Sequence, residues 1–131
     1  LRYYGARRVG AAIAEDMSLA AHFGATVEAA EDFELLAPVT LGICCFRYVP
    51  ADARRGLEDE GKRDETNARL DRLNERVMHR VQRGGEAYVS NAILRGRFAL
   101  RASITNYRTT RRDIDFTLEV IRRAAGEVEK E

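Results

Sequence analysis

At 131 residues, with 45% hydrophobic and 33% charged side chains, the chain can build one domain around a single modest core and is too apolar for a disordered one. A net charge of +1 gives no reason to expect a nucleic acid or an anionic membrane as partner. No run approaches the apolar length that spans a bilayer and no basic-then-apolar leader opens the chain, so a cytoplasmic protein is expected.

The chain starts at Leu1, and its only lysines are Lys62 and Lys130 among abundant arginines. The missing start residue reads as a trimmed piece of something longer.

From Ala6 to Ala30 the spacing predicts a helix. Val9, Ile13, Met17, Ala20, Gly24 and Val27 recur on one face, and Leu19 and Phe23 widen the stripe. Gly24 weakens the pattern and allows a bend or an early end there. Residues 33–37, "FELLA", form the first expected strand, stopped by Pro38. Residues 41–49, "LGICCFRYV", are apolar on both parities until Arg47, which suits a strand buried on both sides and central in its sheet. Its neighbours Cys44 and Cys45 are expected to be reduced core residues, because vicinal side chains are held apart and no second pair exists to make a zinc site.

Residues 50–65, "PADARRGLEDEGKRDE", mix charges with two glycines and a proline and show no core face. They read as an exposed loop. A helix follows from about Thr66 to Arg83, with Leu70, Leu73, Val77 and Val81 inward and Gly84-Gly85 as its stop. "AYVSN" (87–91) and "RFALRASIT" (97–105) are the next strands, joined around "ILRGR". The last helix opens at Thr110 with Asp113 three residues on, close to a capping box, and turns Ile114, Leu118, Ile121 and Ala125 inward.

This order predicts a single α+β domain over residues 1–131: an antiparallel sheet of about four strands with three helices on one face. The opposite sheet face is then bare. In the fourth strand Phe98, Leu100, Ala102 and Ile104 point to the core, while Arg97, Ala99, Arg101, Ser103 and Thr105 point to the bare face.

Little else carries chemistry. His22 and His79 have no ligand partners at metal spacing, and no nucleophile elbow, phosphate loop or cysteine–histidine pair is present. Asp113 and Asp115 suit the dipole of the last helix, and Arg108, Arg111 and Arg112 suit a solvated surface. Arg101 has two readings. It is a sheet-face arginine paired in water, or, set among small side chains, it meets an anion on a molecule or domain that covers it.

Taken in order, "YGARRVGAAIAEDMSLAAHF", "FELLAPVTLGICCFRY", "RLDRLNERV" and "GEAYVSNAILRGRFALRASITNYRTTRRDIDFTLEVI" resemble the C-terminal small domain of the group II pyridoxal-phosphate-dependent amino-acid decarboxylases, nearest to the aromatic type. The resemblance covers about residues 2–125, and "CFR", "LN" and "RFALRASITN" with "DIDF" carry it most clearly. It implies the small domain of a fold-type I enzyme, with its sheet against a large domain in a homodimeric parent. The parent would bind pyridoxal 5'-phosphate and remove the carboxylate of an aromatic L-amino acid to give an amine and carbon dioxide.

The resemblance also implies that Arg101 contacts a substrate carboxylate or braces the domain interface. The family's Schiff-base lysine, stacking histidine, pyridine-pairing aspartate and loop tyrosine lie in the large domain, so no catalytic or cofactor-binding residue is expected in this chain. Lys62 and Lys130 occupy a charged loop and a tail, not a pocket. Such a domain alone would be inactive, carry no cofactor and associate weakly through its bare face. The alternatives are a stand-alone module that takes a carboxylate ligand at Arg101 and a pure assembly domain.

Overall fold

The computed structural model describes residues 18–39, 42–103 and 110–131. The expected helix before residue 18, positions 104 and 105 of the last strand, and Arg108 lie outside them. The order is α1 (18–29 among the described residues), β1 (Phe33–Leu35), β2 (Ile43–Tyr48), α2 (Ala51–Glu58), α3 (Arg63–Gly84), β3 (Ser90–Leu94), β4 (Arg97–Ser103) and α4 (Arg111–Glu129). The strands form one antiparallel sheet in the order β1-β2-β4-β3. The α+β architecture and the interior place of β2 are thus as expected.

The long helices follow their stripes. Leu70, Leu73, Val77 and Val81 of α3 and Ile114, Leu118, Ile121 and Ala125 of α4 are buried in one core with Leu19, Phe23 and Val27 of α1. The sheet contributes Phe33, Cys44, Phe46, Phe98, Leu100 and Ala102 to that core, and the Phe23 and Phe46 rings meet at 5.1 Å. Gly85 ends α3 in the left-handed region at φ 72°, which a glycine reaches without strain. Thr110 and Asp113 close a full capping box on α4, the Asp113 N–H donating to Thr110 Oγ1 and the Thr110 N–H to Asp113 Oδ2.

Three expectations need correction. Residues 50–65 are not an exposed loop: they hold α2 and the first residues of α3, so the described helices number four. Gly56 is a close-packing residue instead of a loop signal, since a Cβ there would lie 2.4 Å from Thr66 Oγ1, and Ala53 beside it is buried. The third strand is Ser90–Leu94, not 87–91, because Arg95 and Gly96 make a two-residue turn with φ of 54° and 79°. Positive φ at both positions fits the type I′ turn, whose twist matches paired strands. The first strand is also shorter than expected, at three residues.

The β2–β4 ladder ends at Phe46 opposite Leu100, and α3 takes over beyond it. The Tyr48 N–H donates to Asn74 Oδ1 (2.8 Å), and Asn74 Nδ2 donates to the carbonyls of Tyr48 (3.0 Å) and Leu70 (2.9 Å). The Phe98 N–H donates to Asp71 Oδ1 (2.9 Å). Strand groups that would otherwise be orphaned are therefore satisfied by one helix, which fixes β4 and the side chains it presents.

Candidate functional site around Arg101

Arg101 sits in the middle of β4, with Cys45 of β2 directly across on one side and Ser90 of β3 on the other. Along its own strand it is flanked on that face by Ala99 and Ser103. Every neighbour in the row is small, so a half-buried guanidinium stands above its surroundings and can meet a group arriving from outside. Five N–H donors in a planar fork suit a carboxylate or a phosphate.

The face is not uniformly bare, as the sequence led one to expect. Ala99 is fully buried, and Arg47 is only 1% exposed. Arg47 Nη2 donates to both carboxylate oxygens of Glu34, its cross-strand neighbour, at 3.2 and 3.3 Å, and Nη1 donates to Asn67 Oδ1 of α3 at 2.9 Å. Its Nε has no partner among the described residues. That face of the sheet therefore carries three arginines: Arg47, locked into a buried ion pair, and Arg97 and Arg101 of β4, both partly buried, of which Arg101 is the one at the centre of the sheet.

The cysteines divide between the faces as strand alternation requires. Cys44 lies in the core, where burial first and the neighbouring Cys45 and Glu28 second push its thiol up to about 12. Cys45 faces Arg101; burial raises its pKa and the Arg101 charge pulls it partly back. Both are free thiols. At neutral pH neither is a thiolate nucleophile.

The remaining groups form no competing site. His22 of α1 meets Asp115 of α4 at 3.3 Å, so Asp115 has a role beyond the helix dipole, and His79 is exposed. No three His, Cys, Asp or Glu side chains among the described residues gather as a metal site would need. An open groove of about 650 Å³ between α2 and α3 is lined by both signs of charge, including Asp52, Arg55, Lys62, Glu65 and Arg69, and does not include Arg101. Lys62 and Lys130 are exposed, and Arg111 and Arg112 are solvated as expected. Neither lysine has the enclosed surroundings needed to bind an aldehyde cofactor, so this chain's residues do not fit that task. No described helix is long and apolar enough to cross a membrane.

Sequence reasoning missed Cys45 and Ser90 as neighbours of Arg101 and missed the Arg47 ion pair. The one available signal was Arg47 itself, a charge closing an otherwise apolar strand.

Comparisons with known proteins agree with this fold. No family model matches the chain. Tryptophan decarboxylase 2 of Oryza sativa subsp. japonica is 30% identical over 128 residues, covering 98% of this chain and 23% of that protein. Tyrosine/DOPA decarboxylase 5 of Papaver somniferum is 24% identical over 123 residues, which is 92% of this chain and 24% of that protein. The crystal structure of Oryza sativa TDC with PLP and tryptamine superposes with a TM-score of 0.78 at 25% identity, over 96% of this chain and 25% of that one. Mouse CSAD in apo form shares the fold, with a TM-score of 0.84 at 20% identity over 95% of this chain and 26% of that one. Over nearly its whole length the chain is thus similar to the group II pyridoxal-phosphate-dependent amino-acid decarboxylases, and it spans about a quarter of the length of these relatives.

Proposed function

We propose that this chain is the C-terminal small domain of a pyridoxal-phosphate-dependent decarboxylase of aromatic L-amino acids, and that it covers one wall of the active site. What carries this reading is the match of 98% of the chain to only 23% of a tryptophan decarboxylase. The missing three quarters would hold the cofactor, which supplies the electron sink for loss of carbon dioxide. This chain contributes a rigid sheet face and, at its centre, the cation of Arg101. The rigid setting is favourable to recognition, because β4 is bonded on both flanks and by Asp71, so little order is lost when an anion docks. Arg101 then meets either the substrate carboxylate or an acidic group of the large domain. The parent is a cytoplasmic homodimer on this reading, and the 131-residue chain alone binds no cofactor and releases no amine.

The test is the intact mass of the protein in its source cells. A species several times heavier than 14.8 kDa, with a cofactor absorbing in the visible range, is the expected result. A species at 14.8 kDa would overturn the domain reading and leave a stand-alone carboxylate-binding module, for which calorimetry with free amino acids against wild type and Arg101→Ala is decisive. Amine release by the purified 131-residue chain would refute its predicted inactivity.

A further inference from the structure

The two edges of the sheet are treated differently. β1 is three residues long, and Arg54 of α2 guards it by donating to the carbonyls of Phe33 (2.8 Å) and Glu31 (2.7 Å). β3, "SNAIL", carries no charge, no proline and no bulge, the devices by which an edge is kept from pairing. Three large apolar side chains are strongly exposed among the described residues. Two of them, Tyr88 at 75% and Ile93 at 63%, flank or belong to this edge.

The register decides which backbone groups are open. Leu94 and Arg97 close a two-residue turn, so they form a hydrogen-bonded pair, and the bonded positions then alternate through Ala92 and Ser90. The N–H and C=O groups of Val89, Asn91 and Ile93 therefore point away from β4. Phe98, opposite Ile93, sends its own N–H to Asp71 and so agrees with this phase. The Val89 carbonyl is taken by Gln82 Nε2 at 2.7 Å. No described residue bonds the outward groups of Asn91 and Ile93, and these two positions are symmetric about Ala92.

We propose that β3 is the contact edge for a second copy of this chain, paired antiparallel about a two-fold axis through Ala92. In that register Asn91 of each copy faces Ile93 of the other, so the outward N–H and C=O groups of these two residues all find partners, in four bonds. The same register runs the second copy's exposed Tyr88 past the turn that carries Arg95 and Arg97, setting an aromatic face beside two cations, while Glu86 stays paired with Arg123 of its own chain at 2.9 Å. Shifting the register by one residue would set the open groups of Asn91 and Ile93 opposite residues whose own groups are already bonded to β4. The proposal is independent of the reading of Arg101, which lies in the interior of the sheet.

Sedimentation equilibrium of the 131-residue chain tests it. A five-residue edge is small, so the mass is expected to climb from 14.8 kDa toward twice that value only as the concentration rises from about 10 μM to about 1 mM. Ile93→Lys, at an exposed position, should stay monomeric over that range with an unchanged circular dichroism spectrum, while Arg101→Ala should associate like wild type. On a Cys45→Ser background, mild oxidation should cross-link Ala92→Cys into dimers and leave Asn91→Cys at least tenfold less cross-linked. A wild-type chain monomeric at about 1 mM, association that survives Ile93→Lys, or equal cross-linking of the two cysteine variants would each overturn the proposal.

Discussion

Arg47 is buried to 1% exposure and grips Glu34, 31% exposed, across the β1–β2 ladder at 3.2 Å. The two are unequal partners. Glu34 can turn to water if Arg47 is lost, but Arg47 cannot reach water if Glu34 is lost, and its Nε already has no described partner. Breaking a buried pair from the exposed side is therefore the more damaging change. Glu34→Ala is expected to cost about 2 kcal/mol, below the dry-pair range because Glu34 is partly solvated. Arg47→Met, which removes the charge and keeps most of the volume, should cost less than Glu34→Ala. Urea unfolding of both variants checks the order, and a larger loss for Arg47→Met would show that the guanidinium is a net stabiliser.

Asn74 is fully buried and bonds both backbone groups of Tyr48. Asn74→Ala leaves an N–H and a C=O without partners and is expected to cost about 3 kcal/mol. Asn74→Asp keeps the acceptor but turns an oxygen toward two carbonyls. Its carboxyl pKa in the folded state must then lie above the unfolded value, so its stability relative to wild type is greatest below about pH 4 and falls as pH rises. Unfolding midpoints at pH 4 and pH 7 test the sign.

Gly24 sets two effects against each other. Alanine in a helix interior is favoured over glycine by about 1 kcal/mol. Here, however, a Cβ would lie 2.5 Å from Val39 Cγ2, and valine has little freedom to move aside. Overpacking of this kind costs about 1–3 kcal/mol, so Gly24→Ala should destabilise on balance. Adding Val39→Ala should return part of the loss, and double-mutant unfolding would show strict additivity if the contact were unimportant.

These positions mark what a single sequence discloses. The α3 and α4 stripes and both of their caps were legible because each depends on residues within one or two turns. Gly56 was misread as a loop residue, and Gly24, though kept within the helix, was read only as a weak point, because their purpose is the approach of Thr66 and Val39, which no local pattern contains. β3 was placed too early because Arg95 adopts a positive φ that its side chain does not advertise. At the site, alternation alone singled out Arg101 and its small neighbours on β4. Cys45 opposite it depends on pairing strands far apart in sequence, so the thiol that feels its charge became visible only in the fold.

The cysteines give a titration with a definite sign. Cys44 is pushed from 9.0 up to about 12, so between those values the native state keeps a proton that the unfolded state releases. Unfolding is then favoured by rising pH, and this contribution to stability is full below pH 9.0 and is lost toward pH 12. Cys44→Ala should flatten that part of the stability profile. In the native protein at pH 8 a thiol reagent should label Cys45 and spare Cys44 until unfolding. Arg101→Ala should slow Cys45 labelling several-fold, because it removes the cation that favours the thiolate.

Arg101 makes the last comparison, between the isolated chain and the proposed parent. In the isolated chain its partly buried side chain has no hydrogen-bonded or ion-paired partner among the described residues, so Arg101→Ala should move the unfolding free energy by no more than about 0.5 kcal/mol. In the parent, a charge-assisted bond to a carboxylate is worth about 1.5–3 kcal/mol, which corresponds to roughly 10- to 150-fold in substrate affinity. Arg101→Lys should recover only part of it, since a point charge cannot form the paired bonds of a planar fork. KM and thermal unfolding of the parent, measured on the same variants, separate the two roles of the residue. A raised KM with unchanged unfolding places the substrate carboxylate on Arg101. An unchanged KM with earlier, split unfolding places an acidic group of the large domain there instead.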